Sequence, residues 1–256
     1  MQYLKPTSVF ITGASSGIGH ALALAYAEPG ISLFLCGRNR VRLEHTADRC
    51  RGQGADVHTF LFDVTDESAV ARAIEQADTI RPLDLVIANA GVSAGVLGMD
   101  ETPVSHRTIL QTNIFGVLNT VMPAVDVMKQ RHRGQIAIMS SLSGFRGMAS
   151  CPAYSASKAC VRAWGEAMRG FLKPYGIAVS VICPGFIETP LTDKNRFKMP
   201  FLMPADRAAS IIRRRLRRAP ILIVFPWIMA FGARLAGILP GWLILPILGR
   251  LPKKEK

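Results

Sequence analysis

Seven short runs of apolar and β-branched residues, separated by longer helical patterns, constrain this chain more than any other feature. The runs lie near 7–12 (Thr-Ser-Val-Phe-Ile-Thr), 31–36, 55–61, 83–89, 134–140, 177–183 and 220–225, and the helical segments near 17–28, 40–51, 66–80, 103–130, 152–174 and 204–218. The runs are nearly uninterrupted apolar stretches, the pattern of strands buried on both faces of a parallel sheet. Parallel neighbours need crossover connections, and these are right-handed. The expected fold class is therefore α/β: a Rossmann-like, doubly wound parallel sheet of about seven strands with helices on both faces.

With 256 residues, 49% apolar and 19% charged, the chain can bury one sizeable core, which excludes intrinsic disorder. The first run starts near residue 7, so no N-terminal domain is expected. Met-Gln-Tyr-Leu-Lys-Pro has no apolar core and no small-residue cleavage site, so no secretory leader is expected. Five cysteines, at 36, 50, 151, 160 and 183, form no C-x-x-C, and the five histidines form no H-x-x-x-H. A disulfide scaffold and a metal site are not expected, and a reducing, cytoplasmic setting is.

The turn after the first strand reads T-G-A-S-S-G-I-G, Thr12 to Gly19. Gly13 allows a tight turn, Gly17 lets the backbone approach a pyrophosphate, and Gly19 lets the helix pack on the strand. The helix start, with Ser15, Ser16 and Ile18, then offers free N–H groups and a positive dipole end to phosphates. Asp63-Val64 closes the third strand, where a carboxylate can accept a bond from an adenine amino group. Asn89-Ala90-Gly91 closes the fourth, at the carboxyl edge of the sheet where ligands bind. Tyr154 and Lys158, four apart at the start of a helix, project from one face. A neighbouring ammonium favours a phenolate and is expected to lower the tyrosine pKa from ~10, giving a general acid for a nascent alkoxide.

These motifs, in this order and spacing, resemble the short-chain dehydrogenase/reductase family from residue 7 to about 190. The resemblance implies further site residues. Ser141, thirteen residues before Tyr154, matches the serine that holds the substrate carbonyl, with Ser140 and Ser143 ranked below it. Asn113 matches the helix asparagine that anchors a proton relay to Lys158. Pro184, Gly185, Ile187 and Thr189 match the segment at the nicotinamide end. Tyr154 and Lys158 are implied both as catalytic residues and as cofactor contacts. The implied activity is interconversion of a ketone and a secondary alcohol, with Tyr154 as proton donor or acceptor.

Where NAD-selective dinucleotide folds end the second strand with an acid, this strand ends Cys36-Gly37, followed by Arg38. Arg38 is placed to grip a 2′-phosphate, so NADP(H) is the expected cofactor; the alternative is a solvated loop arginine. Residues 186–203 carry Phe186, Ile187, Leu191, Phe197, Met199, Phe201, Leu202 and Met203. They either form an apolar lid suited to a sterol-like or long-chain keto compound or pack on the sheet edge.

The net charge of +13 is uneven: ten Lys/Arg and no acid fall between 207 and 254. Residues 1–218 are expected to form the catalytic domain with its loop 186–204, and 219–256 the last strand and an apolar, basic extension of the same domain. The uncharged stretches 219–233 and 235–249 are 15 residues each, too short and proline-broken to span a membrane, which takes about 20. The tail either meets an anionic membrane surface peripherally, with Trp227 and Trp242 at the headgroups, or covers a subunit interface. A homo-oligomer is expected. The arginines lack an aromatic stacking platform, so nucleic acid is not an expected partner. A catalytically idle NADP(H)-binding sensor or scaffold is the alternative function; such a protein would be expected to lose the tyrosine or lysine, and this chain has both.

Overall fold

Strand β1 (Ser8–Thr12) sends Val9 and Ile11 to one face of a sheet and Phe10 to the other, and all three are fully buried. That alternation recurs across the computed structural model, which describes residues 5–93, 102–193 and 199–249. β2 (Ser32–Gly37), β3 (Asp56–Leu61), β4 (Leu85–Ala88), β5 (Gly134–Met139), β6 (Ile177–Pro184) and β7 (Leu222–Phe225) complete a parallel sheet of order β3-β2-β1-β4-β5-β6-β7. All seven expected strands are present, within a few residues of the expected ends.

On one face α1 (Gly17–Tyr26), α2 (Arg40–Gly52) and α7 (Ala205–Leu216) pack on Val9, Ile11, Leu33, Leu35 and Ile87. On the other, α3 (Glu67–Ile80), α5 (Gly116–Gln130) and α6 (Pro152–Phe171) cover Phe10, Phe34, Val86 and Ile138. Truncating a buried Phe10 or Phe34 to alanine leaves a cavity between the sheet and these helices and costs about 3–5 kcal/mol. The strand order reverses between β1 and β4, which opens a crevice at the carboxyl edge.

The expected single helix over 103–130 is interrupted. α4 (Pro103–Leu110) passes through a π-helical turn, Gln111–Phe115, before α5 begins. The wider turn buries both Thr112 and Asn113. Gly116 follows it, where any Cβ would lie 2.6 Å from Val64 Cγ2, so only glycine permits this approach to the end of β3.

After β7 the chain forms two short helices, α8 (Trp227–Ile238) and α9 (Gly241–Gly249). No helix among the described residues is long and apolar enough to cross a membrane. α7 connects two parallel strands and runs against them, so its last turn lies at the amino edge of the sheet. There Arg213 bonds to Glu28 at 2.8 Å and stacks 5.4 Å from the Tyr26 ring, while Arg215 reaches along the edge strand β7 and donates to the Val224 carbonyl at 3.1 Å. α8 leaves β7 at the carboxyl edge, so the arginine run and the apolar helices occupy opposite edges.

Candidate active site

The crevice is a cleft of about 900 Å³ running from the ends of β2 and β3, past the β1–α1 turn, to the start of α6 and the inner face of α8. The turn is knitted to β4 by Thr12. Its hydroxyl accepts from the backbone N–H groups of Asn89 (3.0 Å) and Ala90 (3.2 Å), and the Asn89 amide donates to the Thr12 carbonyl at 2.9 Å. Gly13 has φ +69°, and a Cβ on it would press on Ala90 Cα; one on Gly19 would strike the Gly13 carbonyl. Ser16 caps α1 without a side-chain bond, and the first turn carries no acid. Its free N–H groups therefore face the cleft as an anion cradle, which fits the diphosphate of a dinucleotide.

Of the residues expected to hold cofactor, Gly13, Ser15, Ser16, Gly17, Ile18, Arg38, Asp63, Val64, Asn89, Ala90, Gly91, Tyr154, Lys158, Pro184, Gly185, Ile187 and Thr189 line this cleft. Thr12 and Gly19 do not; they hold the turn from behind. Arg38 and Asp63 are bonded to each other at 2.9 Å. Burial raises the Asp63 carboxyl, but hydrogen bonds from the backbone and side chain of Thr65, with the Arg38 guanidinium, outweigh it and hold the carboxyl below its usual range.

At the other end Ser141 and Tyr154 share the wall, and the Ser141 hydroxyl acts on the Tyr154 phenol. Ser141 also accepts from the Ser143 backbone N–H at 3.1 Å. Ser140 turns away and donates to the Lys158 carbonyl at 2.7 Å, which ties β5 to α6. Lys158 is 3% exposed and donates to the Met139 carbonyl at 2.9 Å, with its Nζ 5.7 Å from the Tyr154 ring centre. Burial draws its ammonium down to about 8, opposed by the Cys183 thiol.

The expected lowering of the tyrosine pKa is corrected here. Burial pushes the Tyr154 phenol up to about 12; the Ser141 hydrogen bond pulls it down, and Cys151 and Cys183 push it further up. Desolvation acts on phenolate and ammonium alike, and Lys158 spends its proton on a carbonyl. The phenol is therefore protonated throughout the neutral range.

Asn113 lies behind the cleft rather than on it. Its Oδ1 accepts from the Val92 N–H at 2.8 Å, and its Nδ2 donates to the Val92 carbonyl at 2.9 Å and to Ser157 Oγ at 3.0 Å. It clamps the Asn-Ala-Gly turn to α6. A Cβ on Gly91 would sit 3.1 Å from Asn113 Oδ1 and 3.4 Å from Lys158 Nζ, so glycine keeps that corner open.

The apolar segment 186–203 divides its residues. Phe186, Ile187 and Leu191 line the cleft, Ile187 and Met203 also pack into the core, and Phe201 and Leu202 are exposed. Phe197 lies outside the described residues. Sequence reasoning missed three further contributors. Arg42, on the first turn of α2, also lines the cleft; the signal for it was its place in the first helical turn after the end of β2. Arg146 lines the far end and donates to the Leu239 carbonyl at 3.3 Å. Met229, Gly232, Ala233 and Ala236 of α8 form an apolar wall, signalled only by small residues at helical spacing.

Comparison with known proteins gives the same picture. The family model described as short chain dehydrogenase matches residues 7–199. An uncharacterized oxidoreductase of Myxococcus xanthus is 38% identical over 242 residues, 94% of this chain and 95% of the relative. The ketoacyl reductase HetN of Nostoc is 31% identical over 82% of this chain and 74% of its own length. A short-chain type dehydrogenase/reductase from Mycobacterium marinum superposes with a TM-score of 0.75 at 27% identity, covering 86% of this chain and 93% of that one. On the matched span, the relatives and the sheet order together, the chain belongs to the short-chain dehydrogenase/reductase family of oxidoreductases.

Proposed function

We propose that the chain is an NADPH-dependent oxidoreductase that interconverts a ketone and a secondary alcohol on a lipophilic substrate, sterol-like or long-chain. The observation that carries this reading is the shared cleft. Its lining joins Ser141 and Tyr154 with the apolar α8 residues Met229, Gly232, Ala233 and Ala236, and with Arg38 and Arg42 after β2.

In this reading the helix start at Ser16–Ile18 holds the dinucleotide phosphates, and Arg38 and Arg42 hold the 2′-phosphate. The bound nicotinamide supplies or accepts the hydride. Ser141 and Tyr154 donate hydrogen bonds to the substrate carbonyl oxygen and stabilise the charge that grows on it. Tyr154, protonated at neutral pH, gives its proton to that oxygen. Lys158, released from Met139, holds the nicotinamide ribose. Asn113 fixes the turn against which these groups are set. The name of the ketoacyl reductase relative is in keeping with an acyl-like substrate.

The test is turnover of a ketone series ordered by chain length, with sterols included, using NADPH and NADH. Efficiency should rise with apolar length, and Ala233→Trp should cut it about tenfold for the longest ketones while sparing the shortest, the scale of losing a few methylene contacts. Preference for short polar carbonyls, or for NADH, overturns the assignment.

A further inference from the structure

We infer that the segment α8–α9 is a docking surface for an anionic phospholipid bilayer, which brings lipid against the outer side of the helix that walls the substrate cleft. The inference rests on the lipophilic-substrate reading above and adds the partner from which such a substrate is drawn.

α8 has two apolar faces. Met229, Ala233 and Ala236 face the cleft. Trp227, Phe231, Leu235 and Ile238, spaced by four, four and three residues, form one stripe on the opposite side. They are 77%, 69%, 46% and 83% exposed, and Trp242 at the start of α9 is 79% exposed. Ordinary protein surfaces scatter such residues singly; a contiguous stripe of this size marks an interaction site. Between Ala219 and Gly249 no side chain is acidic, amide or hydroxyl, and Arg234 is the one charge. This segment therefore offers a second protein almost nothing to hydrogen-bond, whereas lipid asks for none.

Charge decides between lipid and a second copy. Arg234 is exposed, and the sequence after Gly249 reads R-L-P-K-K-E-K, four basic residues to one acidic. A two-fold contact across α8 would set Arg234 against its own image, with no acid between Ala219 and Gly249 to answer it. Anionic headgroups complement it. Trp at both ends of the stripe suits the headgroup boundary, and helices of this length insert shallowly without spanning. The arginines of α7 do not belong to this surface, because they lie at the amino edge and Arg213 is held by Glu28. Arg146, bonded to the carbonyl of Leu239 just after α8, clips the end of that helix to the cleft rim, so one helix thickness separates lipid from substrate.

The experiment is sedimentation of the full chain with phosphatidylcholine vesicles, with and without phosphatidylglycerol, beside sedimentation velocity of the free protein and turnover of a short ketone. The chain should pellet with the anionic vesicles and less with the neutral ones. Trp227→Asp/Phe231→Asp should weaken binding at least about tenfold, as expected when shallow apolar insertion is lost, and leave short-ketone turnover unchanged. Arg214→Gln/Arg217→Gln/Arg218→Gln should change binding less than about twofold. Failure to pellet with either vesicle overturns the inference, as does a dimer that the double Asp variant dissociates. Equal loss in the arginine variant overturns it too. Vesicle binding by a chain that reduces no ketone supports the docking surface and sinks the substrate reading; ketone turnover by a chain that ignores vesicles does the reverse.

Discussion

Arg38 and Asp63 hold each other across the β2–β3 end of the cleft, guanidinium nitrogen to carboxylate oxygen at 2.9 Å. Their side chains are 61% and 37% exposed, so the pair contributes little, about 0–1 kcal/mol. A phosphate dianion can therefore draw the guanidinium away at small cost. Arg38→Ala should weaken NADPH binding roughly ten- to a hundredfold, the equivalent of about 1.5–3 kcal/mol for a charged hydrogen bond. NADH should be much less affected. Fluorescence titration with both dinucleotides checks this, and equal loss for the two would remove Arg38 as the discriminator.

Tyr154→Phe keeps the ring and removes the proton. Because the phenol is held protonated by burial, its loss should lower kcat for ketone reduction by at least ~10²-fold while NADPH affinity stays nearly constant. Single-turnover kinetics under saturating NADPH read this directly. Near-normal kcat in the variant would mean that another group delivers the proton.

Lys158 gives the unliganded protein a pH signature. Its folded pKa is near 8 against an ordinary 10.5, so below pH 8 the buried charge costs stability in full. Between 8 and 10.5 the unfolded chain binds more protons than the folded one, and stability rises with pH. Tyr154 acts oppositely above pH 10, where its raised pKa makes the folded state the better proton binder. Lys158→Met should therefore be the more stable protein at pH 7, by up to about 3 kcal/mol, and lose that advantage towards pH 10. Urea titrations of both proteins at several pH values test this; parallel curves would contradict it.

Asn113→Ala leaves the N–H and carbonyl of Val92 without their partner inside the fold and removes the donor to Ser157 Oγ, which keeps its own bond to the Tyr154 carbonyl. The expected cost is about 2–4 kcal/mol of stability, from unsatisfied buried groups. Turnover should fall more than dinucleotide affinity, because the bonds of Asn113 go to Val92 and to Ser157 on the helix that carries Tyr154 and Lys158, and none goes to the β1–α1 turn. Thermal unfolding and steady-state kinetics separate the two effects.

The sheet and the cradle were legible because both are written locally. Strand burial shows as runs such as Val9–Ile11, and the turn demands glycine at 13 and 19 whatever surrounds it. Tyr154 and Lys158 were equally visible, but the direction of the tyrosine shift was not. It depends on how deeply both groups are buried and on Lys158 finding the Met139 carbonyl, neither of which a spacing encodes. The π turn escaped for a similar reason: Asn113 reaches Val92 only because two distant segments meet there. The arginines of 213–218 and the apolar tail are neighbours in sequence, yet crossing the sheet through β7 puts them at opposite edges.

Gly185 shows what that placement means for anyone handling the protein. A Cβ there would lie 3.1 Å from Met229 Sδ and 3.1 Å from Pro226 Cδ, so the start of α8 is seated directly on the segment after β6. Cutting the chain before Trp227 to gain solubility would strip a wall from the reaction chamber along with the greasy exterior. A dead truncation would then report a missing wall and nothing about lipid. A better-behaved version has to be made by repainting the outer stripe of α8 one side chain at a time, leaving its inner face as it stands.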